Sequence, residues 1–504
     1  MKKIAIFLMV LTVMSKVLGF LRDITLSFFY GASATSDAYI VSITITSVLF
    51  GLIFSGISTG YIPLFKQIEC EMGEKTALRF TNNLVHVLLV ISTILIMTGF
   101  VFADQLVRLF ALGFDEKTMK TAVELTRIGL VGVYFTSLTQ LLLSHLQLKE
   151  RFTISAMVGF PFNIMIILSI FISSQTSVLF LAVGTVIAAL SQFLFLLPSL
   201  YKTNYRYEPI LNFKDKYMKK MAVVVYPLMI GMSIDHINVM VDKTLASRIV
   251  EGGISALTYA SRLNDLVHGI FVLSFITVMF PYISQMAANK KIDDVKKSIS
   301  EVMSSVILLV LPASVGIMVL AEPIIDLLFG RGDFDDQAIR MTSQALFFYA
   351  IGMIGYGIRE VLLRTFYALQ DMKTPMYNAS IAVVLNIIMN FILSSFMGIN
   401  GLALATSIAA VFSTGLLFSS LRKKIGSLGL KSKLIPLLKI SLASGVMGVI
   451  VAILNSHVLI EWNELLKICV LVFIGSSVYF ILITVLKVEE TKIIQLFFKR
   501  KLRL

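Results

Sequence analysis

The sequence predicts an all-α polytopic membrane protein with about fourteen transmembrane helices. Of its 504 residues 57% are hydrophobic and 15% are charged, and the mean hydropathy is +0.88. The apolar residues are spread over the whole length, whereas a soluble protein with an anchor would concentrate them in one segment. A bilayer core about 30 Å thick needs about 20 apolar residues per helix. The composition therefore favours a chain that crosses the membrane many times.

Apolar segments of that length follow one another along the whole chain. They run over residues 4–30, 38–64, 80–103, 120–148, 152–174, 178–201, 218–247, 255–286, 298–320, 337–368, 374–396, 400–421, 434–455 and 463–487. The longest are expected to tilt or to project beyond the bilayer. The first is expected to be a retained span, because Lys16, Arg22 and Asp23 interrupt the apolar run that a signal peptide requires.

The positive charge is distributed unevenly over the predicted loops. The net charge is +14, and 29 of the 44 lysines and arginines fall at the N-terminus, in alternate loops and in the C-terminal tail. By the positive-inside rule both termini lie in the cytoplasm, and the basic tail contacts anionic lipid headgroups. No aromatic and basic module of the kind that binds nucleic acid accompanies this charge. Membrane lipids are therefore the expected partners, and nucleic acid is not.

Neither cysteine chemistry nor a hydrolytic site is indicated. Cys70 and Cys469 are the only cysteines, and the five histidines lack the spacing of zinc ligands. The chain has no Gly-Lys-Ser/Thr loop that could bind the phosphates of ATP. We therefore expect a protein that is not an enzyme and requires no cofactor.

An internal repeat divides the chain into two copies. Residues 103–116 resemble residues 321–336, the turn 149–151 corresponds to 370–373, and Asn163 corresponds to Asn386, at offsets of 218 to 223. Six spans precede the second copy, so both copies enter the membrane in the same orientation. Parallel repeats of this kind commonly enclose a transport site. The sequence thus predicts two parallel six-helix lobes around a central cavity, followed by two further helices.

The domain limits follow from that repeat. We predict an N-terminal lobe (1–201), a cytoplasmic linker (202–217), a C-terminal lobe (218–421), two extra helices (434–487) and a basic tail (488–504).

The first span contains two cations. Lys16 and Arg22 lie in the stretch Ser15-Lys-Val-Leu-Gly-Phe-Leu-Arg-Asp23. A cation near the middle of a bilayer costs about 2.5–3.5 kcal/mol, so both must face protein, water or an anion. One interpretation pairs Lys16 with Asp23, seven residues on. The other has Gly19 break or bend the helix so that both cations face the cavity and bind a phosphate.

Two later spans also carry cations. Arg262 in span 8 can pair locally with Asp265, or it can face the cavity opposite the first-span cations, which we favour. In span 10, Glu360 and Arg364 are four residues apart and are predicted to neutralise each other. Arg359 then remains as a weaker cavity candidate.

Acidic and amide residues in the spans suggest further sites. Asp37 opens span 2, where it can cap that helix or belong to a gate. Asp242, Asn386, Asn390 and Thr406 offer carboxylate, amide and hydroxyl oxygens of the kind that suits Na⁺. Proton binding at Asp242 is the alternative, and amides and hydroxyls also bridge helices.

Four stretches resemble the signatures of the MurJ (MviN) lipid II flippases, members of the multidrug/oligosaccharidyl-lipid/polysaccharide exporter superfamily. They are residues 15–23, Gly31-Ala-Ser-Ala-Thr-Ser-Asp37-Ala, Tyr259-Ala-Ser-Arg262-Leu and Phe366-Tyr-Ala-Leu-Gln-Asp-Met-Lys-Thr-Pro375. The resemblance covers essentially the whole chain. It implies that a cationic cavity moves an undecaprenyl-pyrophosphate glycolipid, lipid II, to the outer leaflet by alternating access.

The resemblance also assigns roles to individual residues. It implies that Lys16, Arg22 and Arg262 bind substrate, with Asp37 at the family's acidic position. It further implies that Asp242, Asn386, Asn390 and Thr406 form a Na⁺ site, although the family pattern has an acid where this chain has Asn390. The last two helices would form a groove for the polyprenyl tail. The implied location is the bacterial cytoplasmic membrane, with cell-wall synthesis proteins as neighbours.

One stretch departs from the family pattern. Span 2 often carries a paired arginine and a nearby glutamate, whereas this chain has Val48-Leu-Phe-Gly51-Leu-Ile-Phe-Ser55. Export of another polyprenyl-linked oligosaccharide therefore stays open as an alternative. A cation-coupled drug exporter is less favoured, because drug cavities for cations would be acidic. A membrane scaffold without transport is the alternative from a different class.

Overall fold

The computed structural model contains α-helices joined by short turns. It describes residues 2–203, 205–269, 272, 274–429, 433–459 and 462–488, and no β-strand occurs in these ranges. The predicted basic tail lies outside them except for Val488. The all-α fold class predicted from composition is thereby confirmed.

The chain divides into two compact units. The first comprises residues up to Ser255 together with Arg331–Phe334, and the second comprises Ala256–Gly330 and the described residues from Asp335 onward. The helices up to the tenth are α1 (Lys2–Tyr30), α2 (Ala34–Met72), α3 (Glu74–Val101), α4 (Ala103–Phe110), α5 (Glu116–Leu130), α6 (Gly132–Leu148), α7 (Phe152–Met157), α8 (Gly159–Gln175), α9 (Leu179–Tyr201) and α10 (Lys216–Ile249).

The remaining helices belong to the second unit, apart from the first residues of α11. They are α11 (Gly253–His268), α12 (Ser274–Ala288), α13 (Ile292–Phe329), α14 (Asp336–Ala368), α15 (Lys373–Met397), α16 (Ile399–Ile425), α17 (Leu434–Ile453) and α18 (Glu464–Val485), with a π-helical turn at Leu454–Val458.

The core of the first unit joins α2, α3, α6 and α10. Tyr61, Phe65 and Phe80 are almost fully buried there. The Tyr61 hydroxyl lies 2.8 Å from Thr81 Oγ1 and 2.9 Å from His145 Nδ1, so its polar end is satisfied inside the core. α10 packs against α2. The seventh predicted span is therefore part of the first unit's packing.

The predicted linker is held against α3 by side-chain amides. Asn82 Nδ2 donates to the carbonyl of Arg206 at 2.8 Å, and Asn83 Nδ2 donates to the carbonyl of Asn212 at 2.9 Å. The Tyr205 hydroxyl donates to Asn82 Oδ1 at 2.5 Å. These bonds satisfy backbone groups of a segment that has no regular secondary structure of its own.

In the second unit, α13 and α16 both pack against α14, and the two extra helices pack on α13. Tyr479 of α18 is 3% exposed, and its hydroxyl donates to the Leu308 carbonyl of α13 at 2.6 Å. Large apolar side chains such as Phe473 and Val485 remain exposed on α18. The extra helices therefore bury one face on α13 and leave another for lipid.

The helices of the described residues correspond to the predicted spans. Ten helical segments of the described residues are long and apolar enough to cross a membrane, and α5 with α6, bent by 42°, would make an eleventh. Predicted spans 1 and 7 are the more highly charged helices α1 and α10. Span 8, predicted over 255–286, contains α11 and α12.

The internal repeat is visible in the backbone. Glu150 and Gln370, which the repeat aligns, both have a left-handed conformation, with φ of 58° and 57°. In each copy the amide of the next residue bonds the carbonyl five positions earlier, at 2.9 Å. This turn ends one helix and starts the next in the same way.

The outer parts of the two copies also correspond. Phe102 separates α3 from α4 with φ −95° and ψ 17°, and Leu320 interrupts α13 with φ −104° and ψ 16°. Asp115 and Asp335 cap the following helices by accepting hydrogen bonds from Thr118 N (3.2 Å) and Ala338 N (2.8 Å). The spacing between these equivalent positions agrees with the offsets found in the sequence.

Candidate functional site

Arg22 is held by two side chains within the first unit. Its Nε and Nη2 donate to Asp23 Oδ1 at 3.0 and 2.8 Å, and Nη1 donates to Asn163 Oδ1 at 3.2 Å. The Arg22 and Asp23 side chains are 22% and 13% exposed. A guanidinium has five N–H donors, so these bonds leave two more for an anion.

The close approach of α1 and α8 places Asn163 beside Arg22. A Cβ at Gly159 would lie 2.1 Å from Ser15 Oγ, so only glycine allows this crossing without a shift of Ser15. One turn on, Asn163 Nδ2 donates to the Gly159 carbonyl at 2.8 Å, which leaves Oδ1 for Arg22. The crossing thus orients the amide that holds the guanidinium.

Two expectations for the first span are corrected. α1 is uninterrupted from Lys2 to Tyr30, so Gly19 does not break the helix. Asp23 is ion-paired with its neighbour Arg22 and not with Lys16. Lys16 is exposed on the surface of the first unit.

Asp37 caps a helix, but not the one that it opens. Ser33 is the N-cap of α2, and Ser36 completes the capping box. The Asp37 carboxylate is 1% exposed and accepts hydrogen bonds from Gly252 N at 2.9 Å and Ser255 N at 2.7 Å. Its two oxygens therefore satisfy amides in the first turn of α11. Of the two alternatives for Asp37, the capping of α2 is wrong, because the hydroxyls of Ser33 and Ser36 cap that helix.

The turn before α11 fits tightly against the turn before α2. Gly252 has φ +78°, and a Cβ there would lie 2.1 Å from the Ala32 carbonyl oxygen. The Ala34 amide donates to Glu251 Oε1 at 3.2 Å. Asp37 is the buried polar centre of this contact between the turns at 31–33 and 250–252.

The cations of the second unit lie on α11 and α14. Arg262 is exposed on the surface of that unit, and Arg359 is half-buried. Arg364 Nε donates to Glu360 Oε1 at 3.1 Å, which confirms the predicted pair. Glu360 thus neutralises the charge of Arg364, and Arg359 remains the candidate for the cavity on this helix.

The four predicted Na⁺ ligands are divided between the units. Asn386 and Asn390 are buried on α15, and Asn390 Nδ2 donates to Asn386 Oδ1 at 3.0 Å. The Thr406 hydroxyl on α16 donates to the Leu402 carbonyl at 2.9 Å, so its oxygen can still coordinate a cation. Asp242 is on α10 of the first unit, and its Oδ2 lies 3.5 Å from Asn238 Nδ2. Within the described ranges, no group of three or more His, Cys, Asp or Glu side chains could hold a metal.

One residue that the sequence interpretation missed lies where span 2 departs from the family pattern. A Cβ at Gly51 would lie 2.7 Å from His236 Nε2 of α10. The imidazole therefore occupies the space beside α2 that a side chain at position 51 would need. The signal in the sequence was the glycine itself, because a glycine inside a helical pattern often has a packing reason.

These features define a multi-pass membrane transporter: a duplicated helical chain with an ion-paired arginine inside its first span and two further helices packed on its second unit. The family model described as lipid II flippase MurJ matches residues 26–473. The chain belongs to this family.

Curated relatives and solved structures agree. The chain is 29% identical to a probable lipid II flippase MurJ of Thermotoga maritima over 95% of both chains, and 30% identical to one of Buchnera aphidicola subsp. Acyrthosiphon pisum over 90% of both. A structure of lipid II flippase MurJ in an inward closed conformation matches 95% of this chain and 98% of its own, with 26% identity and a TM-score of 0.82. A multidrug resistance MATE family transporter, 14% identical with a TM-score of 0.72 over 82% of this chain and 95% of its own, shares the fold.

Proposed function

We propose that this protein is a flippase that moves lipid II from the inner to the outer leaflet of the bacterial cytoplasmic membrane by alternating access. The observation that carries the proposal is the guanidinium of Arg22, which is held inside the first span and has two further N–H donors for a ligand. The curated relatives that support it are named lipid II flippases. Translocation moves the lipid without a covalent step, so the protein acts as a transporter and not as an enzyme.

In this proposal Arg22 binds the pyrophosphate of the substrate. Asp23 neutralises the guanidinium in the absence of substrate, which lowers the cost of a cation within the bilayer. A pyrophosphate offers several oxygens to the remaining N–H groups, and a bidentate contact is stronger than a point charge. Lys16, Arg262 and Arg359 would add positive charge for the same ligand. Asp37 would stabilise the turn before α11 during the cycle.

The extra helices would carry the polyprenyl tail. α17 and α18 bury one face on α13 and expose large apolar side chains elsewhere, including Leu438, Leu442 and Phe473. An apolar chain of many isoprene units requires a long apolar surface of this kind. Both termini would lie in the cytoplasm, as the charge asymmetry of the loops predicts.

We further propose that the cycle is coupled to Na⁺ bound by Asp242, Asn386, Asn390 and Thr406, with proton binding at Asp242 as the alternative. The repeat supports an ion in the second half. Asp242 stands at the repeat position that corresponds to Asp23, since Asp23-Ile-Thr-Leu26 matches Asp242-Lys-Thr-Leu245, and Asn386 corresponds to Asn163. The carboxylate and the amide of the first half thus both have counterparts, whereas Val241 stands where the first half has Arg22.

The proposed function is tested by rescue of bacteria depleted of their own lipid II flippase. The wild-type chain is expected to rescue growth, and Arg22→Ala or Arg262→Ala is expected to fail while reaching the membrane in normal amounts. Arg108→Ala is the matched control, because Arg108 is exposed and pairs with Asp104 on the short helix α4. Failure of the wild type despite normal insertion would argue for another glycan lipid. Rescue by both arginine variants would overturn the assignment of these two residues to substrate binding.

The coupling ion is tested separately by the effect of Na⁺ on thermal unfolding of the purified protein. Wild type is expected to be stabilised by Na⁺ more than by K⁺, and Asp242→Asn is expected to lose this difference. Asp235→Asn, an exposed acid on the same helix, serves as the control. Equal stabilisation of Asp242→Asn and wild type would contradict the assignment. A response to pH in place of Na⁺ would favour the proton.

A further inference from the structure

A cavity of about 600 Å³ lies in the second unit, beside the break in α13. Leu320 leaves helical geometry and Pro323 follows it, so the last turns of α13 diverge from the direction of the first part. The walls come from the last part of α13, from the first half of α14 and from the residues on either side of the turn between α15 and α16. Since successive spans alternate in direction, these parts share one side of the membrane, opposite the basic loops.

The cavity wall presents hydrogen-bond acceptors. Glu322 is exposed and makes no ion pair with the described residues. Asn400 donates its amide to Gln344 Oε1 at 2.7 Å, and its own Oδ1 is buried without a donor in the described part of the chain. The Ser343 hydroxyl donates to the Arg340 carbonyl at 3.1 Å, which leaves its oxygen as an acceptor. A carboxylate and a hydroxyl oxygen suit a guest with several N–H donors and a positive charge.

The same wall also has donors and an apolar part. The Gln344 side chain keeps its two amide N–H groups, because its bond to Asn400 uses only the oxygen. Phe347 and Phe348 form an edge-to-face pair with ring centroids 5.3 Å apart, and Met318 and Met397 complete the apolar lining. The cavity thus combines a site for an ammonium, donors for a neighbouring anion and an apolar surface for a chain.

We propose that this cavity binds the headgroup of a zwitterionic phospholipid with a primary ammonium. The ammonium would donate to Glu322 and Ser343, the phosphate would accept from Gln344, and the acyl chains would leave over Phe347 and Met397. A quaternary ammonium has no N–H to satisfy these acceptors, and an anionic headgroup would be repelled by Glu322. The site lies within one unit and is separate from the cations assigned to lipid II.

Binding is measured on the purified full-length protein by native mass spectrometry, with phosphatidylethanolamine, phosphatidylcholine and phosphatidylglycerol of identical acyl chains. We expect phosphatidylethanolamine to bind about tenfold more tightly than either of the others, the size of one charge-assisted hydrogen bond. Glu322→Gln is expected to remove most of that preference. Asp294→Asn, an exposed acid at the opposite end of α13, is expected to retain it.

Two further measurements decide between headgroup and acyl-chain binding. Met397→Trp fills the cavity and is expected to abolish the preference without lowering the unfolding temperature of the lipid-free protein. Soluble phosphoethanolamine is expected to compete with the lipid, which would place recognition in the headgroup. Equal affinity for the three lipids, or an unchanged preference in Glu322→Gln, would overturn the proposal.

Discussion

The buried carboxylate of Asp37 allows a quantitative prediction. Asp37→Asn preserves the shape of the side chain but removes its charge, and one of its two acceptor oxygens becomes an N–H donor that faces Gly252 N or Ser255 N. The loss of one charge-assisted bond costs about 1.5–3 kcal/mol. The loss of a negative charge at the N-terminus of α11 adds about 0.3–1 kcal/mol. The turn before α11 should therefore be destabilised by about 2–4 kcal/mol.

Hydrogen exchange of the peptide that spans residues 248–256 measures this effect directly. At about 1.4 kcal/mol per factor of ten, the two amides should exchange roughly 30 to 1,000 times faster in Asp37→Asn than in wild type. Glu251→Gln is the control, because it alters an exposed 3.2 Å bond between the same two turns and should change exchange severalfold at most. Unchanged protection in Asp37→Asn would refute the assigned role of the carboxylate.

Three other substitutions test contacts described above. Asn163→Ala should lower the free energy of unfolding by about 1.5–3 kcal/mol, because Arg22 loses a hydrogen bond within the span; chemical denaturation measures it, and no change would contradict the contact. Gly51→Ala should lower the unfolding temperature, since its Cβ meets His236 at 2.7 Å, and the double variant with His236→Ala should recover it. The hydrogen bond from Lys424 lowers the pKa of Asp371 to about 2. The contribution of this carboxylate to the free energy of unfolding is present above pH 4 and should therefore decline as the pH falls towards 2. The decline should be less than about 1 kcal/mol, and it should be absent in Asp371→Asn.

The fold class and the repeat could be predicted because each depends on residues close together in the sequence. An apolar run of about 20 residues predicts a span regardless of its neighbours. The turn at Glu150 and its copy at Gln370 are determined by bonds between residues at most five positions apart. The pair of Glu360 and Arg364 was predicted for the same reason, since one helical turn brings them together.

The partners of the buried polar groups could not be predicted in this way. Asn163 is 141 residues from Arg22, and Ser255 is 218 residues from Asp37. Such pairings depend on which helices cross and at what height, and the periodicity of a single helix contains no such information.

The repeat clarifies why the two halves would use their polar residues differently. Asp23-Ile-Thr-Leu26 in the first half has Asp242-Lys-Thr-Leu245 as its counterpart in the second, so the acid is common to both halves and Val241 stands where the first half has Arg22. In the first half, the position bonded to Asn163 carries a positive charge and can attract an anion. In the second half the equivalent position is apolar, and the carboxylate that follows it can attract a cation. A duplication followed by this substitution would give one half an affinity for the pyrophosphate and the other an affinity for the coupling ion.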